Sequence, residues 1–425
     1  MVFPHHKDKE EHGKYLAKYD IDPQRAMFTI ILSILVDVFG YSMVLPLLPS
    51  IAKTFGASDF FVGVLISSNA LTALIFGPIL GKLSDRFGRK PLLVISQAGT
   101  GISFLILALS PNISIIFFAR ILDGVFGGQI PIIRAYIADI TTPRTRSQEM
   151  SKIMVGHTGG MIFGPVIGGL LGTLNWRYPS LLASGLSVVA ILLTLKILVE
   201  SLPKERIADL KAHYEELELL SGNRRKTMNK EVAIRLFQVF LVFMINNMLF
   251  SSFPLILDKR FGANPLIIGT IMTTAGVVIM LYAGIFLKPI IRKVGEKRML
   301  VFAMILMIGN FLIFPYLLEL WMAYVFVIPF AVAMSMLPPL IQSNLTKAVD
   351  PDKQGEVSGY ATNFQSFAQI LAPLLATSFL QIGGWVISSL YLNAYQLIGF
   401  TAVFFGVILL IVGLIDIKTH PHLYE

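Results

Sequence analysis

Long apolar stretches alternate with short polar turns along almost the whole chain. Each stretch is long enough, as an α-helix, to cross the roughly 30 Å hydrocarbon core of a lipid bilayer. The pattern therefore predicts an all-α integral membrane protein with twelve transmembrane helices. We number them spans 1 to 12, and they lie near residues 26–50, 60–81, 91–110, 113–138, 149–173, 179–199, 232–257, 265–287, 299–318, 320–346, 356–382 and 392–416.

One long polar segment, Pro203–Lys230, divides these spans six and six. Its apolar residues recur at helical spacing (Ile207, Leu210, Tyr214 and Leu217), which predicts an amphipathic linker helix on the cytoplasmic surface. The predicted organisation is a cytoplasmic tail over 1–24, a six-helix bundle over 25–200, the linker over 201–230, a second six-helix bundle over 231–418 and a cytoplasmic tail over 419–425.

The two halves of the chain repeat each other. The segment Lys53–Gly63 (KTFGASDFFVG) matches Lys259–Gly269 (KRFGANPLIIG). Further matched pairs follow at nearly the same offset: Gly77 and Gly284, Gly88 and Gly295, Pro131 and Pro338, and Pro165 and Pro373. A repeat whose helices keep the same orientation predicts two pseudo-symmetric bundles related by an axis along the membrane normal, with a substrate site near mid-membrane between them.

Composition agrees with a membrane location. Charged residues make up only 14% of the chain and the mean hydropathy is +0.71, whereas soluble proteins carry about 25% charged residues. The net charge of +9 comes from cations in short turns, which favours cytoplasmic loops over a nucleic-acid surface and puts both termini in the cytoplasm. The absence of cysteine excludes disulfides and thiol-ligated metal. No phosphate-binding loop or metal-ligand spacing is present, so we expect neither a cofactor nor an enzyme.

A charge-dense loop, GPILGKLSDRFGRKPLL, joins spans 2 and 3 at Gly77–Leu93. A basic turn that only sets topology would explain the cations but not the glycines and the aspartate. The pattern resembles the loop between helices 2 and 3 of the major facilitator superfamily, and the residues that carry this resemblance are Gly81, Asp85, Arg86, Gly88, Arg89 and Lys90.

Span 4 ends in AYIADITTPRTR, which is closely similar to the tetracycline-exporter group of that superfamily. The resemblance implies that Asp139 pairs with Arg89. It also implies that Asp85 faces the start of span 11 near Gly355 and so closes an inner gate between the halves. Arg134 departs from the group, where a smaller or uncharged residue is usual.

Span 1 carries an acid, Asp37, near mid-bilayer. An aspartate there costs at least about 3 kcal/mol unless it has water, a partner or a proton. The pattern Asp37-x-x-Gly40…Pro46-x-x-Pro49 is similar to helix 1 of twelve-helix drug–proton antiporters, in which the acid is a proton or cationic-substrate site. The alternative is an aspartate held permanently in a structural salt bridge.

Span 4 carries Arg120 and Asp123, three residues apart on one helix face. They can simply pair with each other, whereas the resemblance implicates Arg120 in proton transfer. With Asp37 and Asp123 both ionised, the three groups sum to −1, which favours cationic or neutral solutes over anions.

Span 5 holds glycines four residues apart, which form a smooth stripe that permits close helix approach. The string G-x-x-x-G-P-x-x-G-G resembles the antiporter motif of helix 5, although a small-residue stripe is also common helix packing. The residues concerned are Gly160, Gly164, Pro165, Gly168 and Gly169, with Gly156 one turn earlier.

Scattered polar residues are candidates for the substrate cavity, the alternative for the amides being hydrogen bonds that join neighbouring helices. With methionine and phenylalanine around them, they suggest an apolar cavity with sparse polar groups. They are Tyr41, His157, Asn246, Asn247, Tyr282, Asn363 and Gln365.

The sequence as a whole predicts a secondary transporter of the cell membrane, either plasma or inner, that exports drug-like, amphiphilic small molecules in exchange for protons. The expected partners are substrate, protons and the lipid bilayer, with a functional monomer and no nucleic acid. The alternatives are a facilitator or proton symporter for a sugar or other metabolite and, in a different class, a non-transporting receptor or scaffold. The substrate itself is not predicted.

Overall fold

The computed structural model describes residues 9–203, 205, 207, 228–350, 353–387 and 390–421. Within these ranges the predicted spans all form helices. They are span 1 Pro23–Val44, span 2 Asp59–Phe87, span 3 Arg89–Leu109, span 4 Ile113–Phe126 and Gln129–Ile140, span 5 Pro143–Leu174, span 6 Arg177–Ile197, span 7 Lys230–Phe261, span 8 Pro265–Leu281, Tyr282–Phe286 (a π-helical turn) and Leu287–Val294, span 9 Glu296–Ile313, span 10 Leu320–Lys347, span 11 Gln354–Ile382 and span 12 Ala394–Thr419.

Eleven of these helices, within the described ranges, are long and apolar enough to cross a membrane. The twelfth helix, span 11, is also long enough to cross a membrane, with 29 residues, but it is less apolar because it carries several amide and hydroxyl side chains. With it, the twelve-helix prediction is confirmed. Large apolar side chains on the outer surfaces of the helices are exposed, as expected where lipid replaces water (for example Ile75, Leu109, Phe163 and Val407).

Asparagine side chains begin four of the helices. Asn112, Asn229, Asn264 and Asn393 each accept a hydrogen bond from the backbone N–H three residues later. Such caps satisfy donors that the first turn of a helix leaves unpaired. The turns between apolar runs therefore define where spans 4, 7, 8 and 12 start.

Between the spans, the described residues form three shorter elements: the helix Leu48–Thr54, the 3-10 turn Phe314–Tyr316, and a two-stranded antiparallel hairpin of β1 (Gly384–Ile387) and β2 (Leu390–Asn393). The all-α prediction missed this hairpin. Gly383 takes a positive φ of 78° and ends span 11, and the short connection before Asn393 then folds back on itself.

The segment before span 1 is not only a tail. A helix forms over Lys9–Lys18, and the Tyr15 hydroxyl donates to the Ser201 carbonyl oxygen at 2.5 Å. Most of the predicted linker helix, including Leu210, Tyr214 and Leu217, lies outside the described residues.

Contacts group the chain into two compact units. The first comprises 1–44, 71–164 and 175–226, and the second comprises 45–70, 165–174 and 227–425. The first has a core of buried side chains from spans 1 and 4, among them Ile30, Ile34, Ile133 and Ile137. The second has an aromatic core of Phe253, Phe311, Phe314, Phe326 and Phe330. The short helix Leu48–Thr54, the start of span 2 and the end of span 5 thus pack with the second half of the sequence.

Candidate functional site

The acid in span 1 is held by an amide. The Gln129 side chain donates from Nε2 to Asp37 Oδ1 at 3.0 Å. Asp37 is half-buried and Gln129 is buried. Among the described residues Asp37 forms no ion pair within 4.0 Å, so the alternative of a permanent structural salt bridge has no support.

Arg120 and Asp123 lie beside this pair and bond to each other. Arg120 Nη1 donates to Asp123 Oδ2 at 2.8 Å, and both side chains are buried. The Arg120 guanidinium lies 5.7 Å from the centre of the Tyr41 ring, one turn along span 1 from Asp37. These five groups form what we call the acid cluster: Asp37, Tyr41, Arg120, Asp123 and Gln129.

Span 4 is broken in the middle, and the break places Gln129. One helix ends at Phe126 and the next begins at Gln129, with Gly127 and Gly128 between them. The Ser96 hydroxyl of span 3 donates to the Phe126 carbonyl oxygen, which the break leaves without its helical partner. Gly128 lies against Gly77 of span 2, where a Cβ atom would come within 2.8 Å of the Gly77 Cα. Breaks of this kind at membrane depth are tolerated where protein or water satisfies the backbone.

At the other end of span 4, the loop between spans 2 and 3 forms a buried charge network. Arg89 donates from Nε to Asp139 at 3.2 Å, and its Nη1 contacts Asp85 at 2.5 Å and the Ser84 hydroxyl at 2.7 Å. Arg89 is 3% exposed and Asp139 is not exposed at all. The Ser201 hydroxyl also donates to Asp139, at 3.0 Å. The pairing of Arg89 with Asp139 that the resemblance implied is present, and Asp85 joins the same arginine.

The turn at Gly88 depends on its having no side chain. Gly88 has φ of 97°, and a Cβ atom there would lie 2.6 Å from a Glu200 carboxylate oxygen. Glu200 accepts hydrogen bonds from the backbone N–H groups of Arg89 and Lys90, at 2.8 and 3.0 Å. The carboxylate therefore caps the start of span 3, where the helix dipole favours negative charge.

The second half of the chain repeats this arrangement with the charges reversed. Gly295 has φ of 90° and, like Gly88, precedes the next helix. Glu296 follows it where Arg89 follows Gly88, and Lys347 stands in the repeat where Asp139 stands. Lys347 Nζ lies 2.9 Å from Glu296 Oε2, with the two side chains 37% and 25% exposed. The repeat has kept an ion pair at this position and exchanged its signs.

The glycines of span 5 pack on one helix before Pro165 and on a different helix after it. Before it, Cβ atoms at Gly156 and Gly160 would meet the backbone of span 1, at 2.5 Å from the Ile31 carbonyl oxygen and 2.7 Å from the Phe39 nitrogen. After it, a Cβ atom at Gly169 would lie 2.5 Å from the Pro265 carbonyl oxygen, at the start of span 8. The stripe is therefore a close-packing surface for two different helices.

Within the second compact unit, the repeat appears as matched helix crossings. Gly63 of span 2 packs on Pro373 of span 11, and its counterpart Gly269 of span 8 packs on Pro165 of span 5. A Cβ atom added at Gly63 would lie 2.9 Å from the Pro373 carbonyl oxygen, and one added at Gly269 would lie 2.2 Å from the Pro165 carbonyl oxygen. The Ser67 hydroxyl adds a hydrogen bond to the Ile370 carbonyl oxygen at 2.7 Å. We call these contacts the far-face packing, because they lie at the end of span 2 opposite Gly88.

Two lysines also cross between the repeated segments in this region. Lys53 pairs with Asp258 at 3.6 Å, and Lys259 pairs with Asp59. Lys53, Asp258 and Lys259 have partly exposed side chains, whereas Asp59 is largely buried. A pair as exposed as Lys53–Asp258 contributes only about 0–1 kcal/mol. The glycine crossings, where backbone meets backbone, therefore decide how closely these helices approach.

Comparison with known proteins decides the family. Residues 30–373 match the Major Facilitator Superfamily. The chain belongs to this superfamily. It is 30% identical to Multidrug resistance protein 2 of Bacillus subtilis (strain 168), over 84% of this chain and 90% of that one. It is 29% identical to the class C Tetracycline resistance protein of Escherichia coli, over 83% of this chain and 89% of that one.

Solved structures of the Major Facilitator Superfamily fold lie close to this one. A bacterial homologue of the human lysosomal transporter Spinster gives a TM-score of 0.74 at 12% identity, covering 94% of this chain and 97% of that one. The peptide transporter POT in complex with sulfate gives 0.72 at 15% identity, covering 94% and 95%. At such identities the likeness concerns the fold alone.

The other polar candidates do not contact one another through hydrogen bonds or ring contacts found among the described residues. His157 is half-buried in span 5. Asn247 donates to the Phe243 carbonyl oxygen of its own helix at 2.7 Å, and Tyr282 packs on Phe286 at 6.1 Å between ring centres. Asn246 and Gln365 are half-buried, and Asn363 is exposed. Their predicted place in a substrate cavity stays a prediction.

Sequence reasoning missed two residues that organise these sites. Gln129 directly follows a Gly-Gly pair inside an apolar span, and an amide at such a break was a usable signal. Glu200 stands immediately after span 6, 110 or more residues from the backbone that it caps. Nothing local to Glu200 indicates that partner.

The far-face packing leads to a testable expectation at Gly269. Its Cβ in Gly269→Ala would lie 2.2 Å from a backbone oxygen, so spans 5 and 8 must separate. Overpacking of this kind costs about 1–3 kcal/mol, and we expect a roughly tenfold faster thiol labelling of a single cysteine placed at Val166 of span 5, whose Cα atom lies 3.3 Å from the position of that Cβ. The chain has no native cysteine, so the reporter is unambiguous.

Gly309→Ala is the matched control, because a Cβ atom there has no heavy atom within 4 Å. Equal labelling rates in the two alanine variants would show that the crossing does not control access to Val166.

Proposed function

We propose that this member of the Major Facilitator Superfamily exports drug-like, amphiphilic compounds, cationic or neutral, in exchange for protons. The relatives named as multidrug and tetracycline resistance proteins support this proposal, because they align over more than four-fifths of the chain. The site that would carry the exchange is the acid cluster in the first compact unit.

The observation that carries the proposal is that the Asp37 carboxylate lies in an apolar span without a cationic partner among the described residues. An ionised carboxylate in an apolar span costs several kcal/mol unless a cation or water compensates it. Asp37 is half-buried, its hydrogen-bond partner Gln129 is a neutral amide, and it has no ion pair among the described residues. An acid retained under these conditions is suited to bind and release a proton rather than to hold helices together.

The charges around Asp37 favour the proposed substrates. Arg120 and Asp123 neutralise each other through their 2.8 Å contact. The remaining charge belongs to Asp37, negative when it is ionised and absent when it is protonated. A cationic substrate and a proton would therefore compete for the same carboxylate, which is the simplest basis for exchange.

Alternating access would use the two ends of the bundles as gates. In this proposal the loop face is cytoplasmic, with Gly81, Asp85, Arg86, Gly88, Arg89 and Asp139 forming the inner gate and the far-face packing forming the outer one. Both termini then lie in the cytoplasm, and the protein works as a monomer in the plasma or inner membrane. It uses no cofactor, nucleic acid or catalytic step.

A transport measurement tests the proposal. The purified protein is reconstituted in vesicles of neutral lipid, and proton release is followed with a pH-sensitive dye as compounds are added. We expect release with lipophilic cations such as ethidium, with tetracycline or with neutral amphiphiles, and none with an anion such as benzoate. Uptake of a sugar without proton counter-movement, and no response to the drug-like panel, would contradict it.

A further inference from the structure

The half-helix Gln129–Ile140 contacts a functional group at each of its ends. At its start, Gln129 donates to Asp37 at 3.0 Å. Near its end, ten residues later, Asp139 accepts from Arg89 at 3.2 Å. At 1.5 Å per residue the two contacts are about 15 Å apart along the helix. One short helix therefore connects the acid cluster to the buried network of the loop.

This half-helix is a continuous, closely packed segment. Ile132, Ile133, Tyr136 and Ile137 are essentially fully buried along it, and the Tyr136 hydroxyl donates to the Val199 carbonyl oxygen at 2.7 Å. The Gly127–Gly128 break separates it from the preceding helix, which carries Arg120 and Asp123. A displacement at Gln129 can therefore reach Asp139 without being absorbed by the first part of span 4.

Gln129 has the chemistry to distinguish the two states of Asp37. Its side chain is 2% exposed, its Nε2 donates to the carboxylate, and its Oε1 is buried without a hydrogen-bond partner among the described residues. An ionised carboxylate can only accept a hydrogen bond, and the amide nitrogen provides it. A protonated carboxyl can donate, and the unpartnered Oε1 is the acceptor it would find once the amide rotates.

The contacts of the described residues bring three charged or titratable side chains close to Asp37: Tyr41 on span 1, and Arg120 and Asp123 on span 4. Arg120 lies over the Tyr41 ring, one turn from Asp37, and is bonded to Asp123. These groups set the field at Asp37 but sit on the other side of the break from Asp139. Gln129 is the residue of this cluster that is continuous with the loop network.

We propose that Gln129 is a positioning residue that senses the protonation of Asp37 and transmits it, through the rigid half-helix Gln129–Ile140, to Asp139 and Arg89 at the inner gate. The proposal rests on the proposed function, because it takes Asp37 as the proton site. It adds a separate element, since Asp37 can exchange protons whether or not Gln129 passes the signal on.

The test uses a reporter on the loop and a proton measurement on the same samples. A single cysteine at Phe87, the last residue of span 2 and 65% exposed, carries an environment-sensitive fluorophore. Its signal is titrated between pH 5 and 9 in the parent, in Gln129→Leu and in Asp37→Asn. Proton release on addition of tetracycline or ethidium is measured in each.

We expect the parent reporter to respond to pH and the Asp37→Asn reporter to be insensitive to it. In Gln129→Leu proton release should persist, while the pH response of the reporter falls about tenfold, within the 5- to 150-fold range of typical coupling between two sites. Gln97→Leu is the matched control, because Gln97 is equally buried and donates to Thr194 at 3.0 Å in the same unit, away from Asp37. It should leave both signals unchanged.

A parental reporter response in Gln129→Leu, or an equal loss in Gln97→Leu, would overturn the proposal. If Gln129→Leu does not fold, Gln129→Asn takes its place, because its amide is one methylene too short to keep the bond to Asp37. Absence of proton release in the parent would instead contradict the proposed function, so the two failures are distinguishable.

Discussion

Asp37→Asn should abolish proton-driven accumulation of substrate while leaving the binding of neutral substrates intact. Asparagine has the shape of the protonated acid and keeps an oxygen for the Gln129 amide, but it cannot carry a proton. One proton crossing 100 mV releases about 2.3 kcal/mol, which sustains a roughly 50-fold concentration ratio of an exchanged neutral substrate. We expect this ratio to fall to about one in the variant, as passive equilibration requires.

The measurement compares accumulation of labelled substrate in vesicles with an imposed pH gradient against binding in detergent. Asp22→Asn is the control, since Asp22 lies just before the same helix, is half-exposed on its side chain and caps backbone N–H groups that asparagine can also cap. The Asp22→Asn protein should keep the full concentration ratio of the labelled substrate. An Asp37→Asn protein that still accumulates substrate against the gradient would remove Asp37 from the mechanism.

Arg89→Met should be among the most destabilising substitutions in the loop network. Arg89 is 3% exposed and is the cation between Asp85 and Asp139. Removing it leaves two carboxylates facing each other, one of them fully buried, and breaking a buried ion pair costs about 3–5 kcal/mol. Asp139→Asn should cost less, because Arg89 keeps Asp85 as its partner.

The second half supplies an internal control for that expectation. Glu296→Gln breaks the counterpart pair with Lys347, whose side chains are partly exposed. Pairs of this kind are worth about 0–1 kcal/mol. Thermal unfolding of the three variants in detergent should therefore rank them Arg89→Met, Asp139→Asn and Glu296→Gln in decreasing loss of stability. Equal losses at Arg89 and Glu296 would show that burial does not govern the network.

Much of the architecture was predictable because it depends on local properties of the chain. Whether a stretch of residues enters lipid depends on its own hydropathy and length, and the twelve spans follow from that alone. Gly88 and Gly295 were identified from the repeat, and both adopt the positive φ that favours glycine. The pairing of Arg89 with Asp139 came from a motif, since the two residues lie 50 positions apart.

The contacts that give the site its chemistry were decided by the tertiary structure. Hydropathy places Asp37 and Gln129 at membrane depth, but their hydrogen bond joins residues 92 positions apart and needs spans 1 and 4 to face each other across the Gly127–Gly128 break. The cap that Glu200 provides and the crossing of Gly269 over Pro165 have the same origin. The sequence by itself thus determined which segments cross the membrane and which polar residues those segments carry into it. Only the packing of the helices decided which of those residues meet, because a free energy of transfer into lipid is a property of one segment, whereas a contact is a property of two.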